Sequence, residues 1–401
     1  MRFGSPRLLR EMNDRAAIEV LLRHGPMARS ELEEFIGLSK PATAQLLTRL
    51  EESGTVVRTG LRGGSRGPRA QLWAVNGALA HVAAVALSPE AIDVALADIT
   101  GETLVERSLP MPKKGTAEAL AAFREVLGAA VEQAGLTLDQ LSHVVVGTPG
   151  AVDRKTGQLR FAPHLPGWEG FDVCAELSAL VGTPVTVEND INLAALEEMN
   201  SGRATEVRDF VLIWPADEVG SGIVVNGALL RGATGGAGEI DAMLVPDRTL
   251  KSTGVDRRGG RYGDLLSDEA IVELARAHGL VARTGLAAVQ RAVKSDDVGQ
   301  EFLVDLARRF AVVVANVIVV LDPELVLLSG DIAQAGGDTL NDLVVAELRQ
   351  LVLPGTPVQL ASITDHPVRS GALHSALSVA REELFGLSAV TTEPFRSQPT
   401  G

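Results

Sequence analysis

Apolar residues near the start of the chain recur at the three- and four-residue spacing of amphipathic helices. This spacing predicts three helices, over 13–23, 28–36 and from 39 to about 53, separated by turns that contain glycine. The short turn between the second and third helices is typical of a helix-turn-helix motif. The apolar stripes comprise Ala17, Ile18, Leu21 and Leu22 in the first helix, Leu32, Phe35 and Ile36 in the second, and Leu46, Leu47 and Leu50 in the third.

The third helix carries the residue types that a DNA-reading helix needs. Ser39 is expected to cap it, with Pro41 in the first turn, where a missing N–H costs little. Burying the leucines turns Lys40, Pro41 and Gln45 outward, at the end of the helix that enters the major groove in such motifs. Gln45 suits an adenine edge and Lys40 a guanine or a phosphate, while Ser39 and Thr43 suit phosphate contacts.

A basic loop follows the three helices. Apolar runs at 56–58 and 71–75 predict two short strands, and no acidic residue occurs between 54 and 76. Arg62, Arg66 and Arg69 lie in this glycine-rich stretch and are predicted to reach into the minor groove as the wing of a winged helix-turn-helix domain. The alternative is a helical protein-interaction domain with a solvated basic loop.

Charge separates this head from the rest of the chain. Residues 1–76 contain 12 Lys and Arg against 8 Asp and Glu, whereas the remainder contains 25 against 43. A basic head on an acidic body is the distribution expected when a small module binds DNA and the larger part does not. We therefore place a DNA-binding domain at 1–76, a body at 77–386, and a disordered tail rich in Thr, Ser and Pro at 387–401.

Composition indicates a folded cytoplasmic protein. With 401 residues, two or three domains are expected, and a hydrophobic fraction of 46% excludes global disorder. No apolar run reaches the ~18 residues of a membrane helix, and no apolar signal core follows the first residues. The single cysteine, Cys174, excludes an internal disulfide framework and is expected to be a small buried hydrophobe.

In the body, polar clusters follow apolar strands at two places. The segment V-T-V-E-N-D-I-N, residues 185–192, ends a strand in two acids and an amide. The segment 219–242 contains an Asn-Gly pair between apolar runs, which predicts a β-hairpin, and then a glycine-rich loop that ends in Glu239. Glycines there remove side chains where a backbone approaches a small molecule closely. The two clusters suit a polyol pocket between two lobes, and the alternative is a pair of surface loops.

Longer apolar patterns complete the body. They predict helices over 116–134, 301–321 and 370–385, and a buried strand from 144 that ends in a glycine-proline turn. The last helix is expected to close the fold, with one apolar stripe of Leu373, Leu377, Ala380 and Leu384.

Four motifs occur in an order that resembles the ROK family of repressors, open reading frames and sugar kinases. They are P-H-L-P-G-W at 163–168, E-N-D-x-N at 188–192, G-x-x-G-x-A-G-E at 232–239 and D-P-E at 322–324. With its helical head, the chain resembles the transcriptional-regulator branch. The resemblance implies an α/β fold with a two-lobed, actin-like (ribonuclease H-like, sugar-kinase) body. Lobe 1 is then placed at about 77–195 plus the closing helix 370–386, and lobe 2 at about 196–369.

The resemblance also assigns a sugar site. Asn189 matches the family's sugar-contacting asparagine, and Asp190 matches the aspartate that acts as general base in the kinases. Glu239 matches the glutamate of the family's E-x-G-H element. Pro149 and Gly150 belong to the turn that lines the sugar site in the family. A retained aspartate does not imply catalysis, because a carboxylate also hydrogen-bonds hydroxyl groups as a plain binder.

Other family features are missing. Where the kinases have a D-x-G-G-T phosphate loop, this chain has 86–89, with no acid, no glycine and a proline that removes a backbone donor. Asp241 and Ala242 stand where the family has a glycine and its zinc-ligating histidine. The expected cysteine-rich segment, 251–267, contains no cysteine, so the family's structural zinc is predicted to be absent, with no other cofactor.

Together these features predict a transcriptional regulator, a repressor of carbohydrate-related genes, with no enzymatic activity. Its predicted partners are a double-stranded DNA operator, a sugar or sugar derivative as effector, and further copies of itself in a homodimer or homotetramer, with no membrane. Two alternatives remain open at this point. The body is a ligand-independent dimerisation scaffold, or it is an ATP-dependent sugar kinase with an added head.

Overall fold

The computed structural model of the chain describes residues 6–63, 69–113, 115–153, 155–160, 165, 167–245, 260–295, 297–351 and 355–387. Two predictions lie outside these residues: the place of Arg66 in the wing and the disordered tail from 388 onward. Most of the segment 251–267, which corresponds to the cysteine-rich segment of the family, also lies outside them.

The head contains the three predicted helices and a small sheet. Its elements are α1 (Pro6–His24), β1 (Met27–Ala28), α2 (Arg29–Ile36), α3 (Lys40–Glu52), β2 (Val56–Arg62) and β3 (Ala70–Val75). The strands pair antiparallel in the order β1-β3-β2, so the two predicted wing strands are confirmed but are longer than expected. Helix α1 also begins seven residues earlier than predicted.

Two expectations about the head were wrong in detail. Phe35 is 55% exposed, because its ring lies on the imidazole of His24 at the end of α1, with centroids 4.6 Å apart, and leaves the core to Leu32. Ser39 holds the N-cap position of α3, but its side chain accepts no cap hydrogen bond. One of the N–H groups that a capping oxygen would reach is missing, because Pro41 is the second residue of the helix.

The first lobe is built on a five-stranded sheet with the order β10-β7-β4-β5-β6. Strands β4, β5 and β6 are antiparallel neighbours, and β7 and β10 extend the sheet in parallel. The elements are β4 (His81–Leu87), β5 (Ala91–Asp98), β6 (Thr103–Pro110), α4 (Thr116–Gln133), β7 (Leu141–Thr148), β8 (Ala151–Val152), β9 (Leu159–Arg160), α5 (Val173–Val181), β10 (Val185–Asn189) and α6 (Asp190–Ser201).

The second lobe repeats this topology in the strand order β13-β12-β11-β14-β15. Three antiparallel strands are again followed by two parallel ones. The elements are β11 (Phe210–Pro215), β12 (Val219–Val225), β13 (Ala228–Leu229), α7 (Gly263–Leu266), α8 (Asp268–Ala277), α9 (Gly285–Val293), α10 (Asp297–Leu321), β14 (Leu325–Leu328), α11 (Gly330–Leu348) and β15 (Val358–Leu360). The predicted hairpin is confirmed, with positive φ at Asn226 (55°) and Gly227 (73°).

The last helix, α12 (Pro367–Phe385), returns from the second lobe to the first. It packs on β4, β7 and α6. Leu377 and Ala380 are buried as predicted, whereas Leu384 is 47% exposed. Cys174 is 2% exposed in the core of the first lobe, as expected, and burial raises the pKa of its thiol to about 11. In the part of the chain that the structure describes, no helix is long and apolar enough to cross a membrane.

Candidate functional site

A cleft of about 550 Å³ lies between the two lobes. Its lining includes the turn after β7, the start of α6, the end of β11, the start of β12, the glycine-rich loop, and the start of α12. All five residues predicted to bind a ligand, Pro149, Gly150, Asn189, Asp190 and Glu239, line this cleft together. The alternative of two separate surface loops is therefore wrong.

Asn189 and Asp190 mark the point where β10 becomes α6. The Asn189 amide is already used by the protein: its oxygen accepts from the N–H of Asn192 at 3.0 Å, and its nitrogen donates to the Gly150 carbonyl at 3.1 Å. This holds the turn after β7 beside the helix N-terminus. The Asp190 carboxylate accepts from the N–H of Ile191 at 2.8 Å. Burial raises the pKa of Asp190 to about 6.

An ion pair fastens this strand end to the glycine-rich loop. The guanidinium of Arg231 lies 2.5 Å from the Glu188 carboxylate, and both side chains are largely buried, at 15% and 11% exposure. The other oxygen of Glu188 accepts from the Asn192 amide at 2.9 Å. Sequence reasoning missed Arg231, because its partner lies 43 residues away and no local pattern links the two.

Glu239 lies where the glycine-rich loop meets the cleft. Its pKa is raised to about 7, first by burial and then by the nearby negative charges of Glu218, Asp190 and Asp241. A side chain at Gly235 or Gly238 would collide with protein backbone, since a Cβ would lie 2.4 Å from the Val152 carbonyl oxygen or 2.0 Å from that of Ser221. The sequence suggested that these glycines let the backbone approach a ligand. In the structure they also let it approach other backbone of the same chain.

The position of the family's zinc-ligating histidine is occupied by exposed Ala242, in a short 3₁₀ turn over Ile240–Ala242. Asp241, in place of the family's glycine, accepts a hydrogen bond from the N–H of Val219 at 3.2 Å. In the ranges that the structure covers, no group of three or more His, Cys, Asp or Glu side chains is arranged to hold a metal ion.

The turn that replaces the phosphate loop lies at the edge of the cleft between β4 and β5. Its backbone donors are used within the turn. The N–H of Ser88 donates to the Ala91 carbonyl at 2.9 Å, and those of Glu90 and Ala91 donate to the Ser88 hydroxyl oxygen at 3.3 and 3.0 Å. Pro89 has no N–H. A phosphate at this turn would find a closed hairpin in place of free backbone donors.

The lining side chains that were not predicted include Trp214, His366 and Arg369. Trp214 lies near the end of β11, in an apolar run that contains no polar pattern typical of a site. His366 and Arg369 lie at the start of α12, far along the chain from the other cleft residues. The Arg369 guanidinium donates to the carboxylate of Glu106 on β6 at 2.8 Å.

On the head, four of the predicted contact residues of α3 face solvent. Ser39, Lys40, Pro41 and Gln45 are all exposed at or near the start of that helix. Thr43 is the exception, since it is fully buried and its hydroxyl donates to the Ser39 carbonyl at 3.2 Å. The prediction that Thr43 grips phosphate was wrong. Thr43 precedes Leu46, Leu47 and Leu50 by three, four and seven residues, so the helical period places it on the buried stripe.

The arginines around the wing differ in their contacts. Arg62 lies within β2, where its guanidinium contacts the Glu31 carboxylate at 2.6 Å and the Pro26 carbonyl at 3.1 Å. Arg58 contacts Glu51 at 2.9 Å and lies over the ring of Trp73, 4.9 Å from its centroid. Arg69 is exposed just before β3. Arg62 is thus partly neutralised by the head itself, while Arg69 faces solvent.

Comparison with known proteins gives three informative matches. A model of the ROK family matches residues 82–380. The putative xylose repressor of Caldicellulosiruptor sp. (strain Rt8B.4) is 23% identical over 368 residues, which are 87% of this chain and 89% of that protein. Among solved structures, a ROK family transcriptional regulator, a homolog of the E. coli MLC protein, has a TM-score of 0.71 at 20% identity over 92% of this chain and 96% of its own.

A sugar kinase matches a smaller share of the chain. The ROK hexokinase from Thermus thermophilus has a TM-score of 0.63 at 24% identity, and the match covers 75% of this chain but 99% of the enzyme. The enzyme is therefore matched almost completely, while the rest of this chain has no counterpart in it.

Proposed function

The chain belongs to the ROK family, and on that basis we propose that it is a DNA-binding transcriptional repressor whose body senses a sugar without phosphorylating it. It acts on operator DNA in the cytoplasm, as a homodimer or homotetramer. The similarity to the putative xylose repressor over 87% of this chain supports this function, because a match of that length is longer than the body and tail together and reaches into the head.

The exposed start of α3 supports DNA binding. Lys40 and Gln45 are exposed there, and the helix-turn-helix arrangement presents the start of its second helix to the major groove. Arg69 supplies an exposed cation at the wing. The net excess of basic residues in the head adds the attraction to phosphates that all such binding requires.

The closed hairpin at 88–91 is the main observation in support of a body without kinase activity. A kinase must hold the nucleotide phosphates with free backbone donors or cations near the transferring group. Here the donors of Ser88, Glu90 and Ala91 are bound within the turn, and Pro89 has none. Asp190 is then left as a hydrogen-bonding group for a sugar hydroxyl rather than as a general base for phosphoryl transfer.

Helix α12 provides the connection between the cleft and the head. His366 and Arg369 line the cleft at its start, while Phe385 and Leu387, at its other end, pack against an apolar cluster that runs from the head into the first lobe. A helix of 19 residues spans about 28 Å. A ligand that changes the angle between the lobes would displace this helix, provided that it binds the two conformations with unequal affinity.

Two measurements on the purified chain test this function. Fragments of the chain's own promoter region should be retarded at low ionic strength, and at least one sugar should change the operator affinity. Incubation with ATP and each hexose of a panel should release ADP at the background rate. Hexose-dependent ADP release would refute the non-catalytic body, and absence of DNA binding at low salt would refute the repressor.

The scaffold alternative is supported by the exposed Ala242 in place of the family's histidine. It predicts that no sugar changes either the thermal stability of the chain or its operator affinity, while DNA binding persists. The sensing repressor predicts that the same sugar changes both.

A further inference from the structure

The charged side chains that line the cleft are mostly acidic. Among the described residues, its lining contains eight carboxylate side chains, and its only basic side chains are those of His366 and Arg369. Asp190, Asp217, Glu218 and Glu239 belong to this acidic set. A ligand in the cleft therefore meets a negative surface from both lobes.

Carboxylates also lie where a phosphate would otherwise be held. Glu90, within the closed hairpin, and Asp93, just after it, line the cleft on the first lobe. The positive charge of Arg369 is directed to Glu106, at 2.8 Å, and is largely balanced there. With the backbone donors of 88–91 used inside the turn, a phosphorylated sugar would bring two negative charges into a negative site without compensating donors.

We propose that the effector is an unphosphorylated amino sugar, whose ammonium group lies between Asp190 on the first lobe and Glu239 on the second. This inference rests on the proposed sensing function and specifies its ligand class. The cleft has a volume of about 550 Å³ and is open to solvent, so it accommodates one small sugar.

The chemistry of the two groups is complementary. An ammonium has three donors and no acceptor, and carboxylates are acceptors with no donor when ionised. Asp190 and Glu239 repel each other, so that an ammonium placed between them relieves the repulsion and forms charge-assisted hydrogen bonds to both. A neutral hydroxyl forms hydrogen bonds but leaves the repulsion in place.

Because the two carboxylates belong to different lobes, this ligand also has a reason to change the lobe geometry. Asp190 begins α6, and Glu239 ends the glycine-rich loop that follows β13. Without a cation the two charges favour an open cleft, and with one between them they favour a closed cleft. The unequal affinity that sensing requires thus follows from the same charges that select the amine.

The experiment is a calorimetric titration of the full chain, near pH 7, with matched sets of sugars. Each set contains a hexose of the gluco, galacto or manno series, its 2-amino-2-deoxy form, the N-acetyl form of that amine and the 6-phosphate of the amine. The fluorescence of Trp214, which lines the cleft, gives a second readout, and Trp214→Phe identifies its contribution.

The expected result is that one free amine binds at least about tenfold more tightly than its hexose and its N-acetyl form, with the 6-phosphate weakest. In Glu239→Gln and Asp190→Asn the preference for the amine over the N-acetyl form should fall to about twofold. Glu176→Gln, an exposed acid on α5 outside the cleft lining, should retain the full preference.

The other outcomes separate the two hypotheses. If a neutral or phosphorylated sugar binds most tightly, the amino-sugar inference is wrong and the sugar-sensing function stands. If no sugar of any set binds, the sensing function fails together with the inference, and only the DNA-binding function remains.

Discussion

Glu239 is the cleft residue on which burial and several neighbouring negative charges act together. Its carboxylate lies near those of Glu218, Asp190 and Asp241, and burial raises its pKa to about 7. Once the pH rises above this value the carboxylate is ionised, and its charge in such surroundings lowers the stability of the free protein. A ligand that compensates this charge removes the destabilisation, which adds to its binding free energy.

The first prediction concerns Glu239→Gln and pH. The folded protein holds the Glu239 proton more tightly than the unfolded chain, so stability falls as the pH rises from about 4.5 to about 7. Above that range Glu239→Gln should be more stable than the wild type by roughly 1–2 kcal/mol, after allowance for solvent in the open cleft. Denaturant unfolding between pH 4.5 and 8 measures this difference. A constant difference across the range, or the same effect in Glu176→Gln, would contradict it.

The second prediction concerns base recognition by Gln45. Gln45 is exposed on α3, and a glutamine there suits an adenine edge. Gln45→Ala should weaken binding to the cognate operator by about 1–3 kcal/mol and leave binding to unrelated DNA nearly unchanged. Fluorescence anisotropy with both DNAs measures this. The control is Gln290→Ala, an exposed glutamine on α9 of the second lobe. Equal losses on both DNAs would mean that Gln45 contacts only the sugar-phosphate backbone of the DNA.

At this scale the sequence predicted types of residue better than their partners. Asn189, Asp190 and Glu239 follow strands in recognisable motifs, and all three line the cleft. The pairing of Arg231 with Glu188 depends on the mutual position of the two lobes, which no local pattern encodes. The prediction for Thr43 was wrong for a different reason. Its polar side chain suggested an exposed position, although the helical period already places it on the buried side of α3.

Among the elements, α12 joins the two functional regions. It begins at the cleft, packs along β4 and β7, and ends beside the head. Gly386 ends the helix in the left-handed conformation, at φ 61°, and a Cβ there would lie 2.7 Å from the Arg15 guanidinium of α1. The helix terminus is therefore a contact point at which a change in the body reaches the head.

The third prediction uses two matched glycines. Gly386→Ala and Gly182→Ala both place a side chain at a left-handed helix end, which costs about 1 kcal/mol of stability. At Gly182 a Cβ meets no atom within 4 Å, whereas at Gly386 it would displace the guanidinium end of the Arg15 side chain from the helix terminus. Gly386→Ala should therefore reduce the effect of sugar on operator affinity at least about threefold, and Gly182→Ala should not. Sugar titrations of preformed operator complexes measure the effect, and equal behaviour of the variants would exclude α12 as the connection.

The elements were the most predictable part of the fold. The Asn-Gly hairpin, the helix α4 and the long α10 follow from local periodicity and turn chemistry. The ends of elements were less predictable. Helix α1 continues back to Pro6 although Leu8, Leu9 and Met12 are about half exposed there, so no buried stripe signals its true start.

For the whole molecule, the distribution of charge restricts how DNA is approached. The head carries a net excess of four basic residues and the rest a net excess of 18 acidic ones. A DNA duplex is attracted to the head and repelled by the body, so that the body is expected to lie away from the duplex axis. The sequence predicted this distribution directly, whereas the shared strand order of the two lobes required the structure, because strand pairing is not written in local patterns.

The fourth prediction concerns the number of heads on one operator. A single helix-turn-helix head contacts one major groove and buries a small surface, so specific binding needs two copies on half-sites about one helical turn apart. The intact chain should sediment as a dimer or a tetramer and should bind an inverted repeat at least about a hundredfold more tightly than a single half-site. Moving the half-sites apart by about five base pairs places them on opposite faces of the duplex and should abolish this gain. A monomer in sedimentation, or equal affinity for one and two half-sites, would show that each head reads DNA alone, and a sugar would then have no spacing between heads to change.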